Sequence, residues 1–176
     1  MSWQPNYSEQ IDLTYDRVTF EWDNAVGNLY QVDPSASATT GQKFGFTLYG
    51  RDAMHDFKCN IYKMSGRWRE LHVPTHHNEF ELSRDIDGSQ GALVVSRMGY
   101  NQYRTDDQPV RRDILIELYD GRQLMNTIIS SRVVEDEEWL FLSETIASVP
   151  MTQVRRISYM PRSRLDIDAI EITRLT

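Results

Sequence analysis

The sequence predicts an all-β fold, a single antiparallel β-sandwich or barrel-like domain over residues 1–176, on three grounds. Apolar and polar residues alternate with a period of two through most of the chain, the pattern of half-buried strands. Turn signals recur at short spacing, the clearest being Asp120-Gly121 between two β-prone runs, where both residues tolerate positive φ. Helical periodicity is scarce: Glu135 to Ile146 could hold a short helix, but Trp139-Leu140-Phe141-Leu142 fits a strand at least as well. About ten to twelve short strands with regular turns point to a sandwich or barrel.

Taken in order, Ile11, Leu13 and Tyr15, then Val18, Phe20 and Trp22, read as the first strands, and Leu29 to Val32 as a partner. Residues 33–42 read as a loop rich in Ser, Ala and Thr. Phe44, Phe46 and Leu48 alternate, and after Tyr49-Gly50-Arg51-Asp52 the strand pattern resumes at Phe57, Cys59 and Ile61. Ser65-Gly66 reads as a hairpin turn into a strand from Trp68 to Val73. Phe80 and Leu82 form a short strand closed by Asp85-Ile86-Asp87-Gly88. Ala92 to Val95 is apolar on both sides, which suits a central strand covered on both faces. The hairpin of Asp113–Tyr119 and Gln123–Val134 follows, then strands around Leu140 and Leu142, around Val154, Ile157 and Tyr159, and from Leu165 to Leu175. Residues 1–9 are expected as an N-terminal arm and residues 98–112 as a long loop.

The chain is acidic, with a net charge of −7 and a pI near 5.1. That balance disfavours nucleic acid and anionic lipid as partners. One cysteine, Cys59, excludes an internal disulfide framework. Met1 to Pro5 lacks the pattern of a secretory signal, and no stretch nears the ~20 apolar residues of a membrane span. Folding in a reducing cytoplasm is therefore expected.

Catalytic and metal chemistry find little support. His72, His76 and His77 lie close in sequence, but their spacing matches no zinc pattern. Asp85-Ile86-Asp87-Gly88 and Asp166-Ile167-Asp168 resemble the start of a calcium loop without the later ligands such a loop needs. With 26 acidic residues, an acid pair for glycoside hydrolysis can always be found, so its availability decides nothing. No nucleophile elbow or phosphate-binding loop is present. No enzyme, no metal and no cofactor are expected.

Protein contact is the better-supported chemistry. The segment from Met98 to Arg112 combines Tyr100, Tyr103, Arg104, Arg111 and Arg112, residue types favoured at interfaces. Arg155 and Arg156, with Arg162 and Arg164 nearby, form a second basic cluster suited to an acidic neighbour. Trp3, Trp22, Trp68 and Trp139 could stack on sugars if presented together, but Trp22 and Trp68 alternate with apolar neighbours and are expected in the core.

The run from Val154-Arg155-Arg156-Ile157-Ser158-Tyr159-Met160-Pro161 to Arg162-Ser163-Arg164-Leu165-Asp166-Ile167-Asp168-Ala169-Ile170-Glu171-Ile172 resembles tail-tip structural proteins of long-tailed bacteriophages. The resemblance covers residues 110–176. It implies a virion tail component, assembled in the host cytoplasm, that contacts copies of itself in a ring or cap and other virion tail proteins. Three alternatives stand beside it: a carbohydrate-binding sandwich that adheres to host-surface glycans, a head-decoration or head-to-tail joining protein, and an enzyme with a hidden acid pair.

Overall fold

A computed structural model describes residues 5–6, 13–17, 19–22, 27, 30–32, 39–103 and 111–166. The expected strand at 167–175 lies outside the described residues, as does most of the expected arm at 1–9. The chain divides into two compact units, residues 1–66 with 166–176, and residues 67–165. Its sheets are antiparallel throughout, so the fold is mainly β.

The first unit holds two strand pairs and a helix. β1 (Leu13–Asp16) pairs with β4 (Thr39–Gln42), and β2 (Phe20–Trp22) with β3 (Tyr30–Val32). Helix α1 (Arg51–Met64) replaces the strand expected at Phe57, Cys59 and Ile61. The correction has a local cause. Ala53, Phe57, Ile61 and Met64 recur at helical spacing, and Phe57 and Ile61 satisfy both periods at once. Ser65 (φ 53°) and Gly66 (φ 64°) then take the left-handed conformation that ends the helix. Residues 43–49 form no strand either; the rings of Phe44, Phe46 and Phe57 stand in a row, with centroids 6.3 and 6.0 Å apart.

The second unit is organised by a five-stranded sheet. Its members are β6 (Ala92–Ser96), β7 (Asp113–Leu118), β8 (Gln123–Val134), β9 (Glu137–Leu142) and β10 (Val154–Tyr159), in the order β10-β7-β8-β9-β6. The expected Asp120-Gly121 hairpin joins β7 to β8, with Gly121 at φ 87°. Phe80, Leu93, Ile114, Ile116, Ile128 and Leu140 are essentially excluded from solvent and form the centre of the core.

Ala92 to Val95 is buried as expected, yet β6 is an edge strand and not a central one. Its edge is covered by the preceding segment. Ser83 N–H donates to Val94 O, and Ser96 N–H to Glu81 O. The same segment, earlier in its course, covers the opposite edge: Thr75 N–H donates to Tyr159 O and Glu79 N–H to Ile157 O. Phe80 marks the crossing, and its buried ring meets Tyr159 edge-on at 4.9 Å and Tyr100 at 5.9 Å. The strand expected from Trp68 to Val73 shrinks to β5 (Leu71–His72), paired with β11 (Arg162–Ser163). Gly66–Trp68 is a single tight turn instead.

Gly88 sits where this strap meets the chain near Ile146 and Ser148. A Cβ there would lie 2.8 Å from Ile146 O and 3.0 Å from Ser148 N, both backbone atoms that cannot move aside alone. Gly88→Ala is expected to cost about 1–3 kcal/mol, read as a lower urea midpoint with an unchanged slope.

Candidate functional site

The base of the segment 98–112 is built into the core. Gly99 (φ 85°) turns the chain into the one-turn helix α2 (Tyr100–Tyr103). The buried Glu138 carboxylate of β9 accepts from the backbone N–H of Met98 (3.3 Å), Tyr100 (3.0 Å) and Asn101 (3.3 Å). These donors have no partner within the first turn of a helix, so the carboxylate serves as their cap from another strand. The Tyr100 ring packs in the core and its hydroxyl donates to Arg111 O at 3.0 Å.

A second polar cluster joins β7 and β10 to the strap. Arg156 Nε donates to the Glu117 carboxylate, with the two side chains only 11% and 3% exposed. Arg156 Nη1 also donates to His76 O (3.1 Å), and Nη2 approaches His76 Nδ1 (3.3 Å). Because guanidinium has no acceptor, that imidazole nitrogen must be the unprotonated one. Gln123 Nε2 donates to Glu117 Oε1 at 3.1 Å. Burial pushes the Glu117 carboxyl up, but the hydrogen bond and charge of Arg156, helped by Gln123 and His76, outweigh it and hold it below the usual range.

His76 behaves in the opposite sense. Burial first, then the Arg156 charge and that of His77, push its imidazole from 6.5 down to about 4, against a smaller upward pull from Glu117. Unfolded, the ring takes its proton near 6.5; folded, it stays neutral until about 4. Its contribution to stability is therefore complete above 6.5 and declines as pH falls from 6.5 to about 4. His76→Asn should flatten that part of the pH profile of the urea midpoint, since Asn tolerates the positive φ of 57° and does not titrate.

The residues expected at a contact surface thus divide. Tyr100 and Arg156 are internal, which corrects their expected exposure. Arg111 and Arg155 are exposed, and Arg112 is half-buried. Arg155 owes its position to a register shift in β10: Val154 pairs with Leu118 and Arg156 with Glu117, leaving Arg155 as the extra residue of a bulge. Arg104 and the Tyr103 side chain lie outside the described residues.

The three neighbouring histidines serve different partners. His72 Nδ1 lies 3.3 Å from Met160 O and 3.5 Å from Asp113 Oδ2; the His77 carbonyl accepts from Ser158 Oγ at 2.7 Å. Asp87 accepts from Ser89 N–H and Oγ within its own turn, whereas Asp85 accepts from the distant Met151 N–H, so each aspartate has a structural partner. Asp168 lies outside the described residues. Cys59 is half-buried on α1, with Sγ 3.5 Å from His55 Nε2. Among the described residues, no three His, Cys, Asp or Glu side chains are grouped to hold a metal ion. None of the described helices is long and apolar enough to cross a membrane.

Sequence reasoning places Trp68 in the core, and the structure does not. It is 84% exposed in the turn Gly66–Trp68, between exposed Arg67 and Arg69. The flanking arginines give no warning of this, because a half-buried strand also carries polar residues on both sides of each core residue. No protein-family model and no curated protein matches the chain.

Proposed function

We propose that this chain is a non-enzymatic structural protein of a virus particle, a ring- or cap-forming component of a tail tip that acts through protein–protein contacts. The observation that carries this reading is the distribution of apolar surface. Trp68, Tyr119 and Met125 are each more than two-thirds exposed, and Ile129 is 54% exposed at the bulge of β8. Large apolar side chains left in water at several points of one unit favour contact with other proteins. Meanwhile the buried Glu117 and Glu138 are both engaged by the protein itself, in fold-building roles.

The strap that bonds both edges of the five-stranded sheet supports a barrel-like closure of the second unit. Covered edges cannot recruit strands at random, which suits a module whose partners must dock through side chains. The choice of a tail tip follows the resemblance of residues 110–176. Solution mass by light scattering across a concentration series tests the reading. A closed oligomer, trimeric or hexameric, supports it; a strict monomer at every concentration overturns ring formation. One observation favours a second reading, a glycan-binding module: the exposed indole of Trp68 could stack on a sugar. A glycan screen with Trp68→Ala as control separates the two.

A further inference from the structure

We infer that residues 75–79 of the strap form an acid-released latch: protonation of His76 frees them from the β10 edge as a local unit while the five-stranded sheet stays folded. The inference stands apart from the assembly role proposed above.

The strap runs beside β10 without becoming a strand of the sheet. Thr75 and Glu79 donate their N–H groups to Tyr159 O and Ile157 O, but the return bonds end on side chains. Ile157 N–H donates to Asn78 Oδ1 (3.2 Å) and Tyr159 N–H to Glu79 Oε2 (2.8 Å). Ser158 Oγ and Arg156 Nη1 in turn donate to the carbonyls of His77 and His76. Side-chain acceptors hold an edge without the regular ladder of paired strands, so this stretch opens more easily than β7 or β8. His76 lies near its centre at φ 57°, a left-handed conformation that a non-glycine residue keeps only when its surroundings enforce it.

Arg156 supplies that enforcement, and it is also where acid acts. Its Nη2 lies 3.3 Å from His76 Nδ1, the unprotonated nitrogen of the ring. An incoming proton has only that atom to bind, where it ends the hydrogen bond and sets an imidazolium against the guanidinium. The charged groups around the ring are Arg156 from β10, Glu117 from β7 and His77 from the strap itself. Glu117 alone favours the proton, and its carboxylate is already engaged by Arg156 and Gln123. Burial and the two positive neighbours therefore keep the closed ring neutral down to about 4, against 6.5 once the strap has opened. Glu79 works in the opposite sense. Burial pushes its carboxyl up, against the Thr75 and Tyr159 hydrogen bonds and the charges of His77 and Arg111, so its protonation favours the closed strap. That counterweight is smaller than the drop at His76. Release leaves the N–H and C=O groups of Ile157 and Tyr159 on an open sheet edge.

The test is amide exchange by NMR on the full chain across the titration range of His76, each rate divided by the intrinsic rate at that pH, with and without low urea. The amides of Ile157 and Tyr159 should exchange through a local opening, so their rates should ignore urea below the unfolding transition, whereas those of Ile114 and Ile116 should rise with it. Protection at Ile157 and Tyr159 should fall as pH drops from 6.5 to about 4, by up to about 300-fold, the ratio set by one proton bound at His76. In His76→Asn that dependence should vanish, with circular dichroism to confirm folding. In the wild-type chain the Tyr159 amide shift should titrate with the same midpoint as the His76 ring protons, a check that needs no variant. Exchange at Ile157 and Tyr159 with the urea response of Ile116 overturns the latch, because the strap then opens only with the whole fold. A pH dependence that survives in His76→Asn, or an amide shift that titrates apart from the ring, overturns His76 as its trigger.

Discussion

Arg156→Ala should cost about 3–5 kcal/mol in urea unfolding at neutral pH, among the largest losses available from one side chain outside the apolar core. The reason is what remains. Glu117 stays 2% exposed on β7, and without Arg156 it keeps only Gln123 among its side-chain donors named above. His76 O and Nδ1 lose their guanidinium partner as well, which loosens the strap along β10. Removing both charges is a different experiment. Glu117→Leu with Arg156→Met leaves neither a buried ion nor its desolvation cost, and should recover most of the stability, to within about 1 kcal/mol of wild type. The single variant also changes the acid response. In the wild type the depressed Glu117 carboxyl adds stability above the ordinary carboxylate range and loses it as pH falls through its folded value. In Arg156→Ala burial acts with much less opposition, the carboxyl moves upward, and that acid-labile stabilisation should shrink. A single-variant loss below about 1 kcal/mol would show that the pair is not the buried lock that its low exposure implies.

How far the sequence anticipates this architecture depends on the range over which the decisive interactions act. The β7–β8 hairpin is legible because its turn chemistry is local: Asp120-Gly121 needs only its own positive φ. Strands β9 and β10 are legible because Leu140, Leu142 and Ile157 carry a clear core-facing register. Helix α1 is not, because Phe57 and Ile61 fit both periods and the decision falls to Ala53, Met64 and the left-handed Ser65-Gly66 stop. The edge position of β6 is hidden for another reason. Its apolar residues announce burial, but a strap supplies the cover where a strand of the sheet was expected. The site is less legible still. Arg155 and Arg156 are identical in type and adjacent, and a bulge sends one outward and the other into a buried ion pair with a residue 39 positions away. Nothing local distinguishes them. Glu117 and Glu138 look like the polar half of an alternating strand, and only distant partners make their burial tolerable.

Glu138→Ala extends the same logic to the base of the 98–112 segment, with an expected loss of about 3 kcal/mol. The carboxylate is 1% exposed and accepts three backbone N–H groups from the entry into α2. Truncation leaves those donors without their acceptor in a region that also holds the buried Tyr100 ring. Glu138→Gln keeps one acceptor oxygen but turns an amide N–H₂ toward donors, so it should recover only part of the loss. The damage should be local before it is global. Amide exchange at Met98, Tyr100 and Asn101 should accelerate far more than at Ile114 or Ile116 in β7. A near-ultraviolet signal change should accompany it as the ring of Tyr100 loosens from Phe80. Unchanged exchange at those three amides would mean that the carboxylate does not hold the turn. If instead the turn opens, Arg111 loses the Tyr100 hydroxyl that fixes its carbonyl. The variant would then reveal whether any self-association depends on this segment.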